Sequence, residues 1–147
     1  TPGQIGAGIT AYTAREPLGE EDRAEIEGIL GALGPVLNLE EEHLDAVTAV
    51  SGSGPAYLFE FVAALRDGGI RAGLDRETAA RLALHTALGA SRLLAESGES
   101  PETLRDRVTS PGGTTLAALQ VLEKQEFRRV VGDAVVAARD RSIELSG

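Results

Sequence analysis

Six consecutive residues, Ser110, Pro111, Gly112, Gly113, Thr114 and Thr115, form the stretch of this sequence most suited to meeting a ligand. Pro111 stiffens the entry. Gly112 and Gly113 remove the Cβ atoms that would keep a ligand away from the backbone. An apolar run follows and predicts a helix over 116–123. The start of a helix presents N–H groups without intrahelical acceptors and the positive end of the backbone dipole, which together suit an anion. Thr114 and Thr115 add hydroxyls that can donate or accept. A small carboxylate or a phosphate is the natural ligand of such a loop. A capped helix after a tight turn is the plainer reading, and it accounts for one glycine and one threonine rather than two of each.

Other candidates carry less. "SGSGPAY", Ser51 to Tyr57, has no G-x-S-x-G elbow around Ser53 and reads as a helix start, with Ser53 near the cap and Pro55 in the first turn, a reading that leaves placement near a ligand open. "GAGITA", Gly6 to Ala11, matches a dinucleotide pattern. That pattern works only as a turn between a strand and a helix, whereas Ile9, Thr10 and Tyr12 favour extended chain. His43 among Glu40, Glu41, Glu42 and Asp45 fits a solvated acidic helix start better than a metal site. His85 reads as a packed or hydrogen-bonded histidine within a helix.

The elements that must position the loop are mostly helical. Residues 1–40 read as strand, helix, strand: an extended stretch over 5–14, a helix through Ile26, Ile29, Leu30 and Leu33, and a short strand at "VLNLE". From Glu41 onward strand signals vanish. A short acidic-headed helix runs to the "SGSG" break. Pro55 opens a long helix with Gly68 and Gly69 near its end. Asp75 caps another that reaches about Glu96, and Ser100 with Pro101 starts a short one ending near Val108. A last helix runs from Phe127 to about Leu145. The spans 57–68 and 79–94 carry apolar residues on more than one face, which a domain of this size cannot bury alone, so a partner chain is expected.

Composition sets the outer bounds. The 147 residues are 42% hydrophobic but only 3% aromatic, with 18 glycines, so the core is aliphatic. A net charge of −9 argues against nucleic acid and against an anionic membrane surface. No apolar run reaches the ~20 residues of a membrane span. With no cysteine, disulfides and thiolate metal sites are excluded, and a cytoplasmic location is compatible. The chain begins at Thr1 and holds no methionine, as expected of a piece of something longer.

"SGSGPAY", the run "GLDRETAARLALHTALGASRLL", "SPGGTT" and "FRRVVGDAVVAARDRSIEL" together closely resemble the C-terminal half of pyrroline-5-carboxylate reductase, and the resemblance covers essentially the whole chain. It implies a mainly α fold. Residues 1–40 would be the last β-α-β remnant of a Rossmann domain. Residues 41–147 would be an all-α dimerisation and substrate-binding domain like the C-terminal domain of 6-phosphogluconate dehydrogenase. It implies reduction of 1-pyrroline-5-carboxylate to L-proline by NADPH or NADH in proline biosynthesis, in a cytoplasmic homodimer or higher homo-oligomer. The nucleotide site would lie mostly outside this chain, which alone would be inactive: a dimerisation and substrate-binding module. Ser110, Gly112, Gly113, Thr114 and Thr115 would bind substrate, the carboxylate on backbone N–H groups chiefly around Gly113 and Thr114. The Thr115 hydroxyl would reach the ring nitrogen as the catalytic contact. No metal is implied, and no proton donor to the imine is obvious. The sequence departs from the family at "KQE", Lys124 to Glu126, where glycine is common.

Overall fold

A computed structural model describes residues 2–146, which divide into two compact units. One holds the residues up to 57 together with those from 132 onward; the other spans 58–131.

The first unit opens with a 3-10 turn over Pro2–Ile5, then strand β1 (Thr10–Tyr12), helix α1 (Glu20–Leu30), a 3-10 turn at Gly31–Leu33, and strand β2 (Val36–Asn38). β1 and β2 are parallel, with Thr10 opposite Val36 and Tyr12 opposite Asn38, and α1 is the crossover that parallel strands require. Tyr12 donates to Glu27 across 2.9 Å and so ties β1 to the crossover helix. The extended stretch expected over 5–14 is therefore only three residues of strand. Pro2 starts a turn instead, and Gly6 ends it with φ of +68°, a conformation that keeps the preceding residues out of the ladder. Just before β1, the Gly8 N–H donates to the Leu33 carbonyl at 2.8 Å. That approach is possible because Gly34, at φ +133°, lacks a Cβ that would collide with the Gly8 carbonyl.

The "SGSG" segment does not break its helix. A 3-10 turn (Glu41–His43), helix α2 (Leu44–Val47), a π-turn (Thr48–Gly52) and helix α3 (Gly54–Arg71) follow one another with only Ser53 between the last two. Ser53 itself has helical angles, φ −86° and ψ −27°. The physical cause is Pro55. It has no N–H to give the Ser51 carbonyl, and its ring crowds that carbonyl. Widening the preceding turn relieves the conflict, as π-bulges do. The Ser53 N–H accordingly bonds five residues back, to Thr48 at 2.8 Å. The Tyr57 hydroxyl donates to the Ala49 carbonyl at 3.2 Å and closes over the widened turn.

The second unit is all helix. After α3, Gly73 turns the chain at φ +106° and α4 (Arg76–Ser97) begins. Asp75 caps it by accepting from the Thr78 N–H at 2.9 Å, and Gly98 stops it in the left-handed conformation at φ +67°. α5 (Pro101–Arg107) starts under Ser100, which accepts from the Thr103 N–H at 3.2 Å. α6 (Thr114–Lys124) and α7 (Phe127–Ser146) complete the order. The Phe61 and Phe127 rings meet at 6.2 Å between centroids, packing the start of α7 on α3.

Apolar burial is slight. Among the described residues the buried hydrophobics are Ala49, Ala79 and Ala83, while Leu58, Phe59, Leu82, Leu84, Leu88 and Leu93 are exposed. No helix among the described residues is long and apolar enough to cross a membrane.

Candidate functional site

The loop between α5 and α6 is built by a turn that its sequence specifies. At its entry Thr109 stays tied to α5: its Oγ1 donates to the Arg105 carbonyl at 2.7 Å. Residues 110–113 then form a type II turn. Pro111 fits the second position, Gly112 takes φ of +70° at the third, and the Gly113 N–H donates to the Ser110 carbonyl at 3.0 Å. Only glycine accepts the third position at no steric cost. Gly113 is favoured for a different reason. Its φ is −79°, open to any residue, but a Cβ there would collide with the Ser110 Oγ.

Gly113 is the cap residue of α6 and supplies no side-chain acceptor. The helix begins two residues earlier than the apolar run predicts, so Thr114 and Thr115 lie in its first turn. Helix geometry leaves the N–H groups of Thr114, Thr115 and Leu116 without intrahelical acceptors. The first intrahelical donor of α6 is Ala117, bonded to the Gly113 carbonyl at 3.2 Å. Neighbouring helices α4 and α5 meet the same need with Asp75 and Ser100. Among the described residues, the hydroxyls of Ser110, Thr114 and Thr115 have no hydrogen-bond partner. Ser110 and Thr114 are exposed, and Gly113 and Thr115 are half-buried. All five expected site residues thus fall in one turn and the helix start it feeds. Because the Gly113 N–H closes the turn, the free backbone donors begin at Thr114.

Polar contacts hold α5, which leads into the loop. Arg107 donates to Glu99 at 2.6 Å, and Arg128 of α7 donates to Glu102 at 2.9 Å. The Glu102 backbone N–H, then the Arg128 guanidinium, hold the Glu102 carboxyl below the usual carboxylate range. These partners had no legible signal, since they are 26 residues apart in the sequence. At the far end of α6, Glu126 adopts φ of +52°, the one positive-φ non-glycine among the described residues. Its carboxylate accepts two bonds from Arg129, at 3.1 and 2.9 Å.

The remaining candidates gather no chemistry. Gly6–Ala11 leads from a 3-10 turn into β1, not from a strand into a helix. His43 lies 3.9 Å from Glu42 on the surface, and no group of three His, Asp or Glu that could hold a metal occurs among the described residues. His85 is exposed on α4 beside Arg81 and Leu82, without a hydrogen bond among the described residues, instead of packed or bonded. The burial expected of it needs a neighbouring surface that α4 does not meet within its own chain.

Comparison with known proteins gives these features a family. Residues 41–145 match the model of the pyrroline-5-carboxylate reductase dimerisation family. The chain is 48% identical over 145 residues to pyrroline-5-carboxylate reductase of Synechocystis, and 47% identical over 146 residues to that of Arabidopsis thaliana. Each alignment takes in 99% of this chain but only 54% and 53% of those proteins, so the chain spans about half the length of the curated relatives it matches. Among solved structures, a pyrroline-5-carboxylate reductase from Coxiella burnetii superposes with a TM-score of 0.94 at 40% identity, over 99% of this chain and 54% of that one. The Plasmodium falciparum pyrroline carboxylate reductase, solved with NADP bound, gives 0.90 at 33% identity, over 99% and 59%. With most of its length matched by the family model and relatives along nearly all of it, the chain belongs to the pyrroline-5-carboxylate reductase dimerisation family.

Proposed function

We propose that residues 41–147 are the dimerisation and substrate-binding domain of a cytoplasmic pyrroline-5-carboxylate reductase, and that residues 1–40 are the last part of its nucleotide-binding domain. The enzyme so formed reduces the ring imine of 1-pyrroline-5-carboxylate to L-proline at the expense of NADPH or NADH. One observation carries the substrate reading: the type II turn delivers three free N–H groups and three uncommitted hydroxyls to one exposed helix start. The ring carboxylate sits on the N–H groups of Thr114 and Thr115, with Gly112 giving it room and the Ser110 hydroxyl, seated against Gly113, beside it. The Thr115 hydroxyl meets the ring nitrogen and is the catalytic contact. Holding the carboxylate at one end and the nitrogen at the other defines the ring plane, and orientation of this kind supplies much of a catalysed rate.

The glycine pattern at Gly6–Ala11 does not fit a dinucleotide, because it meets no helix N-terminus. On this reading the chain by itself acts as a binding and dimerisation module. Two measurements test the reading together. L-Proline should perturb the amide resonances of Thr114 and Thr115, and the chain mixed with substrate and NADPH should oxidise no cofactor. An absence of any shift in the loop at saturating L-proline would remove the substrate site from it.

The partner is a second copy of the same chain. Ordering one residue costs roughly 1–2 kcal/mol of backbone entropy, and a fully buried Leu or Phe returns only about 1.5–3 kcal/mol. Among the described residues the fully buried hydrophobics are three alanines, and burial of the exposed Leu82, Leu84, Leu88 and Leu93 of α4 with Leu58 and Phe59 of α3 against a partner would add to the favourable side. Light scattering at micromolar concentration should give twice the chain mass. A folded monomer there would overturn the assignment.

A further inference from the structure

Among the described residues, the surface groove of about 220 Å³ on α4, the π-turn under Tyr57 and the ion pairs around the loop are the features that the substrate reading leaves unused. The last go furthest. Helix α5 has only seven residues, and Leu104 is its single half-buried side chain, so packing within the chain does little to fix it. Of the hydrogen bonds made by α5, the one that reaches a distant element is Arg128 Nη2 to Glu102 Oε1, at 2.9 Å. Arg128 is well placed to be a fixed point. Its neighbour Phe127 packs on Phe61 of α3, and Arg129 on its other side donates to Glu126. The leading end of the 110–113 turn hangs from the opposite end of α5 through Thr109.

We infer that Glu102 and Arg128 are positioning residues: their ion pair anchors α5 to the α3–α7 corner and thereby sets where the Ser110–Thr115 loop is held. As a statement about catalysis this rests on the substrate reading above; as a statement about the loop it does not. The pair is solvent-exposed on both sides, so its effect is small and weakened by salt.

The experiment uses the whole 147-residue chain, as wild type, Glu102→Gln, Arg128→Gln and the doubly reversed Glu102→Arg/Arg128→Glu. Amide hydrogen exchange of Gly113, whose N–H closes the turn, should quicken roughly 1.5- to 5-fold in each single variant at low salt. The double reversal should return it toward wild type, and the amide shifts of Gly112 and Thr114 should follow the same order. Amides of α4 should stay unchanged in every variant, which separates loop placement from general loosening. If Arg128→Gln folds poorly, Glu102→Gln carries the same test. Gly113 exchange and loop shifts unchanged in Glu102→Gln, or a double reversal no better than the singles, overturns the inference. L-Proline added to the wild-type sample judges the substrate reading separately: no loop shift there counts against that reading and leaves the exchange result standing.

Discussion

The Ser110 hydroxyl lies against Gly113, close enough that a Cβ on that glycine would collide with it. Serine at the first position of the turn and glycine at the fourth are thus complementary in shape, and this pairing leaves the start of α6 open. Gly113→Ala should shift the loop and weaken L-proline binding. Gly113→Ala with Ser110→Ala removes the colliding oxygen and should recover part of the loss, though the Ser110 carbonyl, 3.1 Å from such a Cβ, still crowds it. Overpacking of this sort costs about 1–3 kcal/mol. Calorimetric titration of the single and double variants measures the coupling, and additive effects would show that the two sites do not meet.

Gly112 should respond differently. Nothing lies within 4 Å of where its Cβ would be, so Gly112→Ala meets no collision and only the positive φ matters. A left-handed alanine costs about 1–2 kcal/mol. Gly112→Ala should therefore lower stability, and removing the Ser110 side chain should not restore it. Urea melts of both backgrounds check this.

Glu126 offers a stabilising change. Glycine at φ +52° relieves the strain, which is about 1 kcal/mol for a side chain forced to positive φ. The Arg129 pairing it forfeits is an exposed i,i+3 bridge, worth roughly 0.3–0.5 kcal/mol. Glu126→Gly should therefore raise stability by about half a kcal/mol, a rise in Tm of roughly 1–2 °C. A fall on thermal denaturation would mean that the carboxylate outweighs the backbone strain.

Thr115→Ala in the complete reductase tests the catalytic contact. Loss of a hydrogen bond to a charged ring nitrogen, about 1.5–3 kcal/mol, should cut kcat/KM roughly 10- to 150-fold. The Thr115 hydroxyl makes no hydrogen bond among the described residues, so the circular dichroism spectrum should not change. Wild-type kcat/KM in a folded variant would leave the residue as part of a helix start only.

Asp75 gives a pH dependence. Its hydrogen bonds to Thr78, side chain first and then backbone, hold its carboxyl below the usual range. A folded-state value below the unfolded one means that the cap is fully present above the unfolded carboxylate pKa. It is lost as pH falls through the lowered value. The Thr78 amide resonance should therefore titrate below the range of an ordinary aspartate, and in Asp75→Asn that step should vanish.

Local chemistry was legible because its cause is local. Asp75 and Ser100 cap the helices they precede, Gly98 ends α4, and Pro111 with the two glycines makes the turn, all through bonds spanning three or four residues. The motifs of the loop and of α3 also carried the family before any geometry was known. Other features depended on groups that meet only when the chain folds. The extended stretch over 5–14 shrank to three residues of strand because a turn ended by Gly6 at φ +68° precedes it and β2 pairs with three residues, and "SGSG" stayed helical because widening the turn ahead of Pro55 keeps the helix going. The link from Glu102 to Arg128, and the Phe61–Phe127 contact beside it, join residues far apart in sequence. Residue type and periodicity determine which groups can bond or be buried, but a partner 26 or more positions away is chosen by how the helices pack, and that only the tertiary structure decided.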